Sequence, residues 1–165
     1  MNIVIALILL LMYIVGVSRV KGELPSSLSA SVFSLGKGEK WLWTAVIYTM
    51  AILCLVPAPI SLLSVVKDGY QWCIFLALAA LLFVGAAPLV TDKGSLAYKV
   101  HCGAAVICAV CSQVAVGVTK PQLLWLWAVF VVGLIYNLLR GGVWRTKTFW
   151  GEMVCFTNTL ILGML

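Results

Sequence analysis

Six long apolar segments, separated by polar stretches, dominate this 165-residue sequence. Each is close to the roughly 20 residues that a helix needs to cross a lipid bilayer. None shows the alternation of apolar and polar positions that is typical of a membrane β-strand. The pattern therefore predicts an all-α fold, a polytopic transmembrane bundle of six helices in one domain spanning residues 1–165. The predicted helices are 2–17, 41–66, 70–90, 96–118, 123–139 and 149–165.

Prolines interrupt two of these segments and begin a third. Pro57 and Pro59 lie within the second segment, and Pro88 lies near the end of the third. Each removes a helix hydrogen bond that lipid cannot replace, so we expect a kink or an early helix end at these positions. Pro121 suits the first turn of the fifth helix, where its missing N–H has no partner to lose.

The connection between the first two segments, residues 18–40, is the longest in the chain. Leu28, Val32 and Leu35 recur at spacings that place them on one face of a helix, which favours a short interfacial helix over residues 25–35. The five serines in the same stretch are equally typical of an irregular loop. Both interpretations stay open.

Composition and charge predict how the six segments are arranged in a membrane. Hydrophobic residues make up 64% of the chain and charged residues only 10%, far below the charged fraction of a soluble domain. The net charge of +6 arises from basic residues in the connections, so it predicts membrane orientation and not nucleic-acid binding. Eight of the 11 Lys and Arg residues lie in the first, third and fifth connections, and a ninth, Lys99, lies close to the third. These connections are therefore predicted to be cytoplasmic, and both termini outside.

The fourth segment contains a Cys-x-x-Cys pair, Cys108 and Cys111, and the only histidine, His101. A rise of about 1.5 Å per residue places the pair roughly 18 and 23 Å into the helix, in apolar surroundings that make a thiol a poor nucleophile and a poor zinc ligand. Small residues that allow close helix packing explain the segment better, with thiol redox as the alternative and no metal expected. The predicted packing residues are Gly103, Ala104, Ala105, Cys108, Ser112 and Ala115. Enlarging Ala104 or Ala105 to Leu is expected to prevent assembly.

Four polar residues in or beside the apolar segments lie toward the predicted cytoplasmic side: Asp92, His101, Asn137 and Glu152. Polar groups inside a membrane segment usually face the bundle interior and have a partner. They form either an inward-facing polar pocket for a proton, an ion or a lipid headgroup, or a set of interface contacts in which Glu152 pairs with Arg140, Arg145 or Lys147.

Several short motifs support resemblances to known families. LPSSLSAS, VGAAP and VHCGAA resemble uncharacterised six-helix integral membrane proteins of bacteria and their phages, which implies a location in the bacterial cytoplasmic membrane. GSLAYKVH and EMVCFTNTL look like fragments of the CREST superfamily of membrane hydrolases. That likeness implies a zinc-dependent amide hydrolase with Asp92, Ser95 and His101 in part of its site, but one histidine cannot supply three ligands. Cys54, Cys73, Cys108 and Cys111 resemble the layout of the vitamin K epoxide reductase family.

The sequence therefore favours a small non-catalytic accessory protein or transporter with a polar pocket toward the cytoplasmic leaflet. A membrane-embedded enzyme, either a lipid-acting hydrolase or a quinone-linked thiol oxidoreductase, is the alternative. No cofactor is expected. The expected partners are the lipid bilayer and a membrane protein or a second copy of the chain.

Overall fold

A computed structural model describes residues 2–36, 39–55, 62–86, 94–140 and 144–165. Within these ranges the chain forms helices and turns and no strand, which confirms the all-α prediction. The α-helices are α1 (Asn2–Lys21), α2 (Trp41–Leu55), α3 (Leu62–Val65), α4 (Gln71–Ala86), α5 (Leu96–Thr119), α6 (Trp125–Leu139) and α7 (Lys147–Leu162). Two 3-10 helices, Ser29–Ser34 and Pro121–Leu124, connect them.

The helices differ in length from the six that the sequence predicts. Among the described residues, three segments are long and apolar enough to cross a membrane, Ile3–Val20, Leu96–Thr119 and Pro121–Leu139, whereas α2 and α4 are shorter apolar helices. The predicted helix 41–66 is described as two helices, α2 and α3. The three prolines that were expected to interrupt the helices, Pro57, Pro59 and Pro88, lie outside the described residues, and so does Asp92. Pro121 begins the 3-10 helix that leads into α6.

Contacts between helix ends show that the bundle runs up and down. The start of α1 meets the end of α7, since a Cβ added at Gly163 would clash with Ile3 and would lie 2.9 Å from Leu62 Cδ1. The end of α5 lies beside the chain that follows α3, where Lys67 N donates to Thr119 Oγ1 at 3.1 Å. We name this the terminal end. The opposite end, where α1 ends and α2 and α7 begin, is the loop-one end.

The loop-one segment, residues 25–35, packs into the bundle. Its Leu28, Ser31 and Val32 side chains are each no more than 2% exposed. The segment contains the 3-10 helix Ser29–Ser34, and its location at a membrane interface stays a prediction. The Tyr13 and Ser31 hydroxyls are 2.6 Å apart, which ties the segment to α1. Phe149 N donates to Ser26 O at 3.1 Å, which ties it to α7.

Helix α5 packs mainly against α4 and α7, so it lies near the middle of the bundle. Ala104, Ser112 and Ala115 on this helix are buried, as expected of close-packed small residues. Gly103 differs from its prediction, because it is exposed and no atom lies within 4 Å of the position that a Cβ would occupy. Consecutive helix positions point about 100° apart, so Gly103 turns away from the face that its neighbour Ala104 buries.

Candidate functional site

A partly open cavity of about 440 Å³ is lined by side chains of α2, α4, α5, α6 and α7. Its volume falls within the range of small-molecule sites, roughly 300–1,000 Å³. On α7 the wall extends from Lys147 to Leu160, a distance of about 20 Å at the helical rise. Most of the wall is aliphatic or aromatic, with Ile47, Met50, Ile74, Leu78, Leu81, Trp127, Phe130 and Phe156 among its side chains.

Glu152 is the one acidic residue on the described cavity wall. It lies five residues into α7, at the loop-one end, where Leu28 also lines the cavity. The Leu28 N–H donates to Glu152 Oε2 at 2.5 Å, so the loop-one segment supplies the carboxyl group with a backbone partner. This is the only hydrogen bond of Glu152 to the described residues, and it takes the place of the pairing with Arg140, Arg145 or Lys147 that the sequence allowed.

The other hydroxyl groups on the inner wall are satisfied within their own helices. Ser112 Oγ donates to Ala109 O at 3.1 Å on α5, and Thr159 Oγ1 donates to Cys155 O at 2.8 Å on α7. Because these hydroxyl protons are already used, the two side chains can only accept hydrogen bonds from an occupant, through their oxygens. Polarity is concentrated around Glu152, with Thr148 and Lys147 beside it at the start of α7.

A buried amide cluster beside the cavity connects α5, α6 and α7. Gln113 Oε1 accepts from Trp127 Nε1 at 2.9 Å and from Asn158 Nδ2 at 3.0 Å. Gln113 Nε2 donates to Cys155 O at 3.2 Å. Asn158 is completely buried, and its Oδ1 has no partner among the described residues. The sequence interpretation missed Gln113 and Asn158, although a polar amide inside an apolar segment is the signal that could have found them.

The predicted polar pocket is not assembled as one group on the cavity wall. Of its four members only Glu152 lines the cavity, and Asp92 lies outside the described residues. His101 is 3% exposed and is buried elsewhere on α5. Asn137 lies on α6, where its buried Oδ1 has no hydrogen-bond partner among the described residues. Among the described residues, the cavity wall therefore carries one carboxyl group and no imidazole.

The cysteines are also distributed over different surfaces. Cys108 lines the cavity, as do Cys54 and Cys155, whereas Cys111 does not belong to the wall. All six cysteines of the chain are free thiols. Across the described part of the chain, no group of three His, Cys, Asp or Glu side chains lies close enough to hold a metal ion.

Comparisons with known proteins give no information about the site. No family model matches the sequence, and no curated protein or solved structure matches it significantly.

Proposed function

We propose that this chain is a multi-pass membrane protein that binds one lipid-like amphiphile inside its helix bundle, as an accessory binding protein or a small transporter. The observation that carries the proposal is the long apolar cavity with a single carboxyl group at one end. A site of this composition suits a molecule with an apolar chain and a small polar head, since apolar walls supply contact area and a few polar groups set orientation.

The size and apolar lining of the cavity support an occupied state. A volume of about 440 Å³ is large enough for a small molecule, and most of the lining side chains are apolar. An apolar guest gives these side chains van der Waals partners that they lack when the cavity is empty.

The length of the cavity fits one lipid chain. The hydrocarbon core of a bilayer is about 30 Å thick, so a chain that fills one leaflet spans about 15 Å. The wall on α7 is about 20 Å long, enough for such a chain with its head beside Glu152.

The proposed setting is a six-span membrane bundle with both termini outside the cytoplasm. Three long apolar helices and the up-and-down course of the chain support it. The loop-one end, which carries Arg19, Lys40 and Arg145, would then face the cytoplasm. Single-cysteine labelling in intact cells tests the orientation. A reporter at Ser26 should be protected from an impermeant thiol reagent and one at Asp68 should react, and the opposite pattern would invert the proposed topology.

A binding role is favoured over catalysis because the wall lacks an acid–base pair. A general acid or base lies within hydrogen-bond reach of the proton that it transfers, and a second side chain commonly orients it. Glu152 has only the Leu28 N–H as a partner among the described residues, and His101 is not on the same wall.

Native mass spectrometry of the protein released from mild detergent tests the binding proposal. The wild-type chain should carry one lipid-sized adduct, and Ala105→Phe, which fills the cavity from α5, should lose it. Val106→Phe is the matched control, because Val106 is 61% exposed and adds its bulk outside the cavity. Equal adducts on both variants, or no adduct on the wild type, would refute the proposal.

A further inference from the structure

The cavity has one end at which a polar head can be recognised. At the loop-one end Glu152 presents a carboxyl group, and Thr148 and Lys147 lie beside it. Toward the terminal end the Ser112 and Thr159 hydroxyls donate to carbonyl oxygens of their own helices. Among the described residues, the one carboxyl group available to the head of an amphiphile is therefore that of Glu152, which favours the head at the loop-one end and the chain directed toward Cys54 and Leu62.

The carboxyl group selects the chemistry of that head. A carboxylate is an acceptor with two oxygens, and only Oε2 has a hydrogen bond to the described residues, from the Leu28 N–H. A head that donates a hydrogen bond, such as a hydroxyl or an ammonium group, complements the remaining acceptor capacity. An anionic head has no proton to donate to that oxygen, and beside an ionised Glu152 it would add a second negative charge against an apolar wall, where the interaction is weakly screened.

Lys147 does not turn this end into an anion site. It is exposed and precedes Glu152 by five residues, about 7.5 Å along the axis of α7. Its ammonium group is in contact with solvent, so water and salt weaken its attraction for an anion. Glu152 lies nearer than Lys147 to the apolar part of the cavity wall, because Gly151 and Cys155 beside it also line the cavity.

We propose that the bound amphiphile has a single long chain and a hydrogen-bond-donating head, a hydroxyl or an amine, and that Glu152 discriminates against anionic heads. This inference rests on the proposed binding function and names the ligand class of the same cavity.

A series of ligands with one chain and different heads tests the inference. Hexadecanol, hexadecylamine and hexadecyl sulfate are titrated against the full-length protein in mild detergent, with binding followed by native mass spectrometry. The alcohol and the amine should bind about tenfold or more tightly than the sulfate, because like-charge contacts penalise the wrong partner. Glu152→Gln keeps an acceptor for the Leu28 N–H, and it should narrow the gap between the amine and the sulfate about tenfold.

The controls separate failure of the head assignment from failure of the binding function. Ala105→Phe should abolish binding of all three amphiphiles, whereas Val106→Phe, whose side chain lies outside the cavity, should leave their order unchanged. Equal or tighter binding of the sulfate would overturn the head assignment and leave the cavity proposal standing. Absence of saturable binding by any of the three would overturn both.

Discussion

Replacing Glu152 by leucine tests how much the hydrogen bond between the loop-one segment and α7 contributes to stability. In the structure Glu152 Oε2 accepts from the Leu28 N–H at 2.5 Å, across 124 positions of the sequence. Leucine removes the acceptor while keeping a side chain of similar length. The Leu28 N–H then remains in a region where the neighbouring Leu28 side chain is only 2% exposed, and water cannot readily replace the lost partner.

The expected cost follows from the desolvation of that donor. An unsatisfied buried donor costs about 1–3 kcal/mol of stability. For a chain of this size each kcal/mol lowers the melting temperature by about 2–4 °C, so Glu152→Leu should lower it by about 2–12 °C. Glu152→Gln retains an acceptor oxygen and should cost less than about 1 kcal/mol.

Thermal unfolding in mild detergent, followed with a thiol-reactive dye, measures this difference because the six cysteines are free. Glu39→Leu is the matched control. Glu39 also accepts a backbone N–H, from Gly36 at 3.1 Å, but this hydrogen bond is exposed and water can replace it. A shift within about 0.5 kcal/mol is expected for the control. If Glu152→Leu melted at the same temperature as Glu152→Gln, the role assigned to the buried hydrogen bond would be refuted.

Three further predictions use the same melting assay. Gln113→Leu removes three hydrogen bonds between helices. At about 0.6 kcal/mol per bond it should lower the free energy of unfolding by about 2 kcal/mol, and an unchanged melting temperature would contradict the amide cluster. The structure changes the expectation that enlarging Ala104 or Ala105 prevents assembly: Ala104→Leu overpacks a buried position and should cost about 1–3 kcal/mol, whereas Ala105→Leu enters the cavity and should cost less, and equal losses would contradict the position of the cavity. Gly163→Ala should destabilise the protein by about 1–3 kcal/mol, because the added Cβ would clash with a neighbouring side chain. Gly103→Ala should stabilise it by about 0.5–1 kcal/mol, because the position is open and alanine favours the helix, and the reverse order would contradict the packing described for the two glycines.

The helices were predictable because an apolar segment of this length has few alternatives to a helix. Helix α5 spans Leu96–Thr119, against a predicted range of 96–118. The orientation of residues around each helix axis was less predictable. Gly103 and Ala104 have equally small side chains, but only Ala104 faces a neighbour. Small size marks a residue that allows close packing, and the position of the partner helix decides whether packing occurs.

The candidate site was only partly predictable for the same reason. Depth along the helices grouped His101, Asn137 and Glu152, but depth does not determine which of them face a shared space. Glu152 reaches the cavity, and the other two do not. The contact of Glu152 with Leu28 could not be read from local spacing, because it joins a connection to the last helix. The five serines were equally typical of an irregular loop, whereas the structure places Ser31 in the 3-10 helix Ser29–Ser34 and buries it.

An experimental structure of the wild-type protein in lipid nanodiscs tests the central claim most directly. We expect elongated density between α2, α4, α5, α6 and α7, with its polar head within hydrogen-bond distance of Glu152 and its chain directed toward Leu62. A bundle whose side chains close the cavity, or an occupant whose head lies at the terminal end, would contradict the account.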